Sequence, residues 1–316
     1  MIDTTRYAYS VGRVRVAENY MMDEMKLLRL VDAPDIKEAI RILAECRYKE
    51  DEDYMVMLKN EQKSLYSYIR SIIPDKKVFD AFFFKFDIHN LKVLLKSEFL
   101  KKPYHEIALD MGVFKFDELK EFLRNRDFSK LPQIIGNATQ ESIEEFLKTN
   151  DPQLIDLILD NAYYTFFNDI ISRTHDTFLK EFMMIQTDLI NLKAFIRIRK
   201  IFRKESFLDY AIIQKGSIGK ENYHRLYEAD DQTLYDFLKK TRYSAIFEKG
   251  NIEKNCDDYM TDFLRSNRYD PLGISPVVGY MLGKETEIKN ARIVMIGKAN
   301  KISKEKTKER LRMCYV

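Results

Sequence analysis

Asp87-Ile88-His89-Asn90-Leu91-Lys92-Val93-Leu94 decides how this chain is read, because the stretch is written three times. It returns as Asp188-Leu189-Ile190-Asn191-Leu192-Lys193-Ala194-Phe195. It returns again, with acidic and basic types kept, as Glu287-Ile288-Lys289-Asn290-Ala291-Arg292-Ile293-Val294. The copies start 101 and 99 residues apart in a chain of 316. That interval marks three comparable units, each long enough to bury a modest core. The expected divisions are 1–103, 104–212 and 213–316, with pseudo-threefold character.

Read as a helix, each copy sets its acid and its Asn three residues apart on one face, beside apolar Leu91, Leu94 and Leu95 in the first. The Asn thus sits at the edge of an apolar stripe, where a partly buried amide needs hydrogen-bond partners. Two readings stand: a structural lock between helices, or a surface on which the Asn and the following base meet a partner.

Gly and Pro together make about 5% of the chain, against roughly 12% in soluble proteins. With 33% charged residues, so few turn-formers predict long helices, and no segment reads as a strand. The fold class expected is all-α. No apolar run approaches the roughly 18 to 20 residues of a spanning helix, since Phe82-Phe83-Phe84 is closed by Lys85 and Asp87. Asp3, Arg6 and Arg13 interrupt the apolar segment a signal peptide would need. Cys46, Cys256 and Cys314 are odd in number and far apart, as expected in a reducing cytoplasm. The net charge is +3, but Lys284 to Val316 holds ten Lys or Arg against four Glu. That basic end suits an acidic protein surface, an anionic membrane face or plain solvent.

Along the chain, a helical pattern opens near Thr4 and runs to about residue 30. Asp35 caps a helix to Cys46, residues 53 to 73 form a long amphipathic helix before Pro74, and Val78 to Leu100 carries the first copy. In the second unit Asp117-Glu118-Leu119 repeats the register of Asp35-Ile36-Lys37 and of Asp231-Gln232-Thr233. Asn150-Asp151-Pro152 opens a long helix, and Thr177 to Phe202 carries the second copy. In the third, helices are expected over Asp231–Thr241 and from about Ile252 to Arg265. After the turn-rich Tyr269-Asp270-Pro271-Leu272-Gly273 a helix from Val277 carries the third copy. Ser303-Lys304-Glu305-Lys306 opens a last helix that includes Leu311.

Little in the sequence carries chemistry. Gly219-Lys220 and Gly297-Lys298 lack both the earlier Gly and the following Ser or Thr of a phosphate loop. His89, His105, His175 and His224 have no Cys or His at metal-ligand spacing and read as ordinary histidines. Asp257-Asp258 and Asp230-Asp231 point to different sides of a helix and do not converge. The Tyr and Phe fall at helical spacing and read as core before base-stacking platform. No catalytic residue, cofactor or metal is expected.

The sequence resembles the C subunit of bacterial and archaeal V-type (A/V-type) ATPases, whose eukaryotic counterpart is the d subunit of the vacuolar ATPase. The resemblance runs end to end, through Tyr7-Ala8-Tyr9-Ser10-Val11-Gly12-Arg13-Val14-Arg15, the three copies, and Pro271-Leu272-Gly273-Ile274-Ser275-Pro276 with Tyr280-Met281-Leu282. It closes on Gly297-Lys298 and Glu309-Arg310-Leu311-Arg312-Met313-Cys314-Tyr315-Val316. It departs from the pattern at Glu287 and Ala291 of the third copy, where the symmetry is expected to weaken. The resemblance implies a funnel of three similar helical domains on the cytoplasmic face of a membrane rotor ring. That funnel receives the axle subunits and transmits torque for proton or sodium transport, with no chemical step of its own. The partners implied are the axle subunits and the rotor ring, with no nucleic acid and membrane contact only through the complex. The expected interface residues are Tyr7, Arg13 and Arg15, with Asn90, Lys92, Asn191, Lys193, Asn290 and Arg292. The competing class is a helical-repeat scaffold that binds nucleic acid through the basic C-terminal unit, with strongly salt-dependent affinity.

Overall fold

The computed structural model describes residues 5–102, 107–201, 204–247 and 250–316. Asp3, Thr4, Pro103, His105 and Phe202 lie outside them. Among the described residues the regular elements are α-helices and short 3-10 turns, with no strand. In chain order they are α1 (Ala8–Glu18), α2 (Glu24–Asp32), α3 (Ile36–Glu45), α4 (Tyr54–Ile72), α5 (Lys76–Leu100), α6 (Phe116–Asn125), α7 (Gln133–Thr149) and α8 (Pro152–Ser172). There follow α9 (Thr177–Lys200), α10 (Phe207–Ala211), α11 (Lys220–Tyr227), α12 (Asp231–Lys239), α13 (Ile252–Ser266), α14 (Ser275–Ala299) and α15 (Lys304–Lys308).

Short polar side chains set where these helices begin. Asp23, Asp35, Asp53, Asp75, Asp151 and Asp176 each accept a hydrogen bond from a first-turn N–H, satisfying one of the donors a helix start leaves open. Asn251 and Ser303 do the same for α13 and α15. Lys101, Arg126 and Asn150 end helices in the left-handed region.

The single helical pattern expected up to residue 30 is broken in two. Asp23 takes Lys26 N–H at 2.7 Å, and this cap starts α2 afresh. The last helix is shorter than expected: α15 stops at Lys308, and Leu311 is buried in irregular chain beyond it. α7, with its Gly136, Thr139 and Ser142, is a helix that the pattern of the sequence does not announce.

The chain forms two compact units, Asp75–Phe237 and, from both ends, Met1–Pro74 with Leu238–Val316. In the Asp75–Phe237 unit α8 packs on α5 and α7, and α9 lies against α8. Phe82 meets Phe167 edge-on at 4.6 Å between centroids, and Phe84 packs on Phe114 and Phe166. In the other unit α14 is the axis, with α1, α2, α3, α4 and α13 all packed on it. Helices α5, α9 and α14 bury residues round most of the cylinder, as helices enclosed by neighbours do.

The C-terminal segment closes onto α14 through glycine. A Cβ built on Gly283 would lie 2.5 Å from Tyr315 Cγ, and one on Gly279 would lie 2.5 Å from its hydroxyl oxygen. Gly283→Ala should therefore force Tyr315 off the helix, costing roughly 1–3 kcal/mol by overpacking. The expected reading is a fall of about 3–10 °C in the thermal midpoint followed by circular dichroism. An unchanged midpoint would mean that the C-terminal segment does not rest there.

Candidate functional site

The three Asn residues make one arrangement three times. Asn90 is fully buried; its Nδ2 donates to Leu109 O at 2.7 Å and its Oδ1 accepts from Leu109 N–H at 2.9 Å. Asn191 does the same with Ile213, both bonds at 2.8 Å. Asn290 does it with Arg312, at 2.9 and 2.8 Å. The partner stands 19, 22 and 22 residues further on. A primary amide has one donor side and one acceptor side, and here both close on the two polar groups of a single residue of the following loop.

The acid three residues earlier pins the same loop further along. Asp87 accepts from the N–H groups of Val113 and Phe114, at 2.7 and 3.0 Å. Asp188 accepts from those of Ser217 and Ile218 and from the Ser217 hydroxyl. The approach is too close for a side chain: a Cβ on Gly112 or Gly216 would come within 2.2 Å of the Asp87 or Asp188 carboxylate. Each loop therefore carries glycine at that point.

The third copy departs at Glu287, as its sequence suggested. Its Oε2 accepts from the N–H of Met22, 265 residues away in sequence. The register is nonetheless kept. Met22 stands two residues before α2, as Phe114 stands two before α6 and Ile218 two before α11. One methylene longer than Asp, Glu reaches a loop that stands further off, and Tyr20 occupies the place of Gly112 and Gly216. In this order α6 corresponds to α2 and α11, so Asp117 is not the counterpart of Asp35 and Asp231. Those residues open the next helix, whose place in the middle repeat is held by α7.

Glu287 also belongs to a buried charge cluster. Lys284 Nζ lies 2.6 Å from Glu287 Oε1 and 3.0 Å from Glu61 Oε1, and 4.4 Å from the centre of the Tyr48 ring. Burial pushes the Glu61 carboxyl up. Burial would lower the Lys284 ammonium, but Glu287 and Glu61 outweigh it and hold its pKa well above the usual lysine value. Sequence reasoning does not find Lys284 or Glu61; the only signal is a Lys three residues before an acid on a mostly buried helix.

Tyr7 is half-buried. Arg13 is exposed, its guanidinium 5.8 Å over the Tyr68 ring. Arg15 pairs with Glu18 at 2.7 Å and donates to the Arg268 carbonyl. Lys92 pairs with Asp160 at 2.5 Å, Lys193 is half-buried, and Arg292 is exposed. The three Asn are thus locks within the chain, and the bases beside them lie nearer the surface. Much of the basic C-terminal excess is met locally: Lys284, Lys289, Lys304, Lys308 and Arg312 face carboxylates, and Lys298 donates to the carbonyls of Val31 and Ala33. Of the histidines, His89 meets the Ile107 carbonyl and His224 the carboxylate of Glu205. Among the described residues no three His, Cys, Asp or Glu side chains group as metal ligands, and no helix is long and apolar enough to cross a membrane.

The ATP synthase (C/AC39) subunit family matches residues 10–310. Among similar proteins, the C subunit of the V-type sodium ATPase of Enterococcus hirae is 25% identical over 274 residues, covering 84% of each chain. The C subunit of the A-type ATP synthase of Methanocaldococcus jannaschii is 24% identical, over 98% of this chain and 87% of that one. That of Pyrococcus furiosus is 22% identical, over 96% and 90%.

Asn191→Ala removes two hydrogen bonds and orphans both polar groups of the buried Ile213, so a loss of about 2–5 kcal/mol is expected in urea unfolding. A loss under about 0.5 kcal/mol would show that the amide is not a lock. Lys284→Met leaves two buried carboxylates without a cation and should cost about 3–5 kcal/mol at pH 7. The raised Lys284 pKa means its contribution is whole below the unfolded value of about 10.4 and fades as pH rises through the folded one. The gap between wild type and Lys284→Met should accordingly hold from about pH 7 to 10 and narrow above it.

Proposed function

The chain belongs to the ATP synthase (C/AC39) subunit family, and from that premise we propose that it is the non-catalytic central-stalk subunit of a V-type rotary ATPase. In this role it couples the axle subunits to the membrane rotor ring, on the cytoplasmic face of the membrane, and transmits torque for proton or sodium transport. The observation that carries the reading is the family match over residues 10–310, with relatives named as the C subunit of V-type and A-type enzymes along nearly their whole length.

The physical character of the chain supports it. A coupling that bears torque needs packed helices and loops that cannot slip, and close packing transmits strain where a loose chain would absorb it. The buried amide clamps at Asn90, Asn191 and Asn290 hold three long helices to irregular chain in fixed register. Three units divided near residues 103 and 212, arranged as a pseudo-threefold funnel, form part of the same proposal. Tyr7, Arg13, Arg15, Lys92, Lys193 and Arg292 are proposed to lie toward the partners, with the Asn residues setting the backbone beneath the bases.

The chain should co-purify separately with the axle subunits and with the detergent-solubilised rotor ring. Capture of neither by a folded, helical protein would sink the stalk assignment. Lys92→Glu with Lys193→Glu should reduce capture of at least one partner about threefold or more while leaving helicity unchanged, since ion pairs near a surface contribute about 0.2–1 kcal/mol each. Undiminished capture would remove both lysines from the contact set.

A further inference from the structure

We propose that the groove between α1 and α4, floored by α14, receives an acidic segment of a protein partner, gripped by Arg13 and Arg47. The groove encloses about 430 Å³, and its walls include Tyr20, Tyr68 and Tyr280, with Lys284 at the bottom. It lies wholly within the unit formed by Met1–Pro74 and Leu238–Val316.

The charge at its mouth is unanswered. Arg13 and Arg47 pair with no carboxylate among the described residues, whereas Arg15, Arg29, Arg41, Arg268 and Arg312 of the same unit do; Arg265, Arg292 and Arg310, which do not line the groove, also have no such pair. Tyrosine rings hold the two instead. The Arg13 guanidinium lies 5.8 Å over Tyr68, and that of Arg47 lies 3.2 Å from the centre of the Tyr20 ring. A guanidinium laid on an aromatic face is oriented by it yet keeps N–H groups at its edge for a planar anion. The Tyr68 hydroxyl, with Tyr9 nearby, favours the charged form of Arg13.

Arg47 follows the end of α3 at φ 63°, in the left-handed region where glycine is at ease and a residue with a Cβ is strained, as Lys101, Arg126 and Asn150 do at the ends of other helices.

The floor does not supply the missing anion. Lys284 already occupies the carboxylates of Glu61 and Glu287, and burial favours the neutral form of Glu61. What remains is a cationic mouth, aromatic walls and a sealed floor beside the exposed Val16. That combination suits carboxylates flanking an apolar or aromatic side chain. The identity of the partner as a component of the stalk complex rests on the function proposed above; the chemistry of the groove does not.

Two measurements separate the claims. In the first, a fluorescein-labelled peptide Glu-Glu-Leu-Phe-Glu-Glu and its all-Lys counterpart are titrated by anisotropy against the full chain at about 50 mM salt, where screening is weak. Wild type should bind the acidic peptide and not the basic one, and Arg13→Gln and Arg47→Gly should each weaken binding about threefold or more. Arg47→Gly relieves the left-handed strain, so its thermal midpoint should equal or exceed that of wild type, which separates lost binding from lost folding. No binding by wild type, or equal binding by all three proteins, overturns the groove. In the second, the Arg13→Gln/Arg47→Gly variant is offered the axle subunits and the ring. Loss of one partner supports the groove and identifies where the acidic segment lies; retention of both overturns it as an interface. Wild type capturing neither partner would overturn the stalk reading, with the peptide titration still deciding the groove.

Discussion

A buried side-chain amide facing the N–H and C=O of a single residue has one arrangement that leaves nothing unpaired, and this chain uses it at Asn90, Asn191 and Asn290. A slip of one residue in the loop would orphan an N–H and a C=O together with both ends of an amide that is itself buried. The clamp therefore fixes register without regular structure. It explains how helices of about 25 residues can be followed by irregular chain and still be held firmly.

The acid three residues earlier works only because of what the clamp has fixed. Once Leu109 or Ile213 is held, the loop passes across the helix at a set height, and Asp87 or Asp188 meets two successive N–H groups. The closeness excludes a Cβ, which accounts for Gly112 and Gly216 in a chain with few glycines. In the third copy the longer Glu287 serves a loop from the far end of the sequence, and Lys284 balances the charge that this arrangement buries.

The all-α class, the three copies and most helix starts were legible in the sequence, because they rest on local chemistry: few turn-formers, apolar periodicity, and Asp before a helix. The locking role of the Asn was legible as one of two readings. What failed needed partners distant in sequence. The break between α1 and α2 depends on the Asp23 cap and on Glu287, and the end of α15 on an Asn290 clamp that requires Arg312 in non-helical chain. Asp117 resembles Asp35 by type and by its place before an apolar run; only the order of helices after each pinned loop assigns it to the preceding helix. Lys284 and Glu61 are 223 residues apart, and nothing in either neighbourhood announces the other.

The third copy then bears on how a coupling part of the proposed kind would resist load. Helical chains fray from their ends, where few contacts hold the last turns. Here the N-terminal segment is tied through Met22 to Glu287, and the C-terminal segment through Arg312 to Asn290 and through Tyr315 to the glycine face of α14. Both ends thus meet within a few turns of one helix. Closing so long a loop costs little more entropy than closing a short one, because the cost grows only with the logarithm of length. Buried contacts thus hold Met22 on one side and Arg312 and Tyr315 on the other to the same stretch of α14. A load drawn on either segment acts against contacts to the same helix, a property that a rigid coupling needs and a simple string of helices would lack.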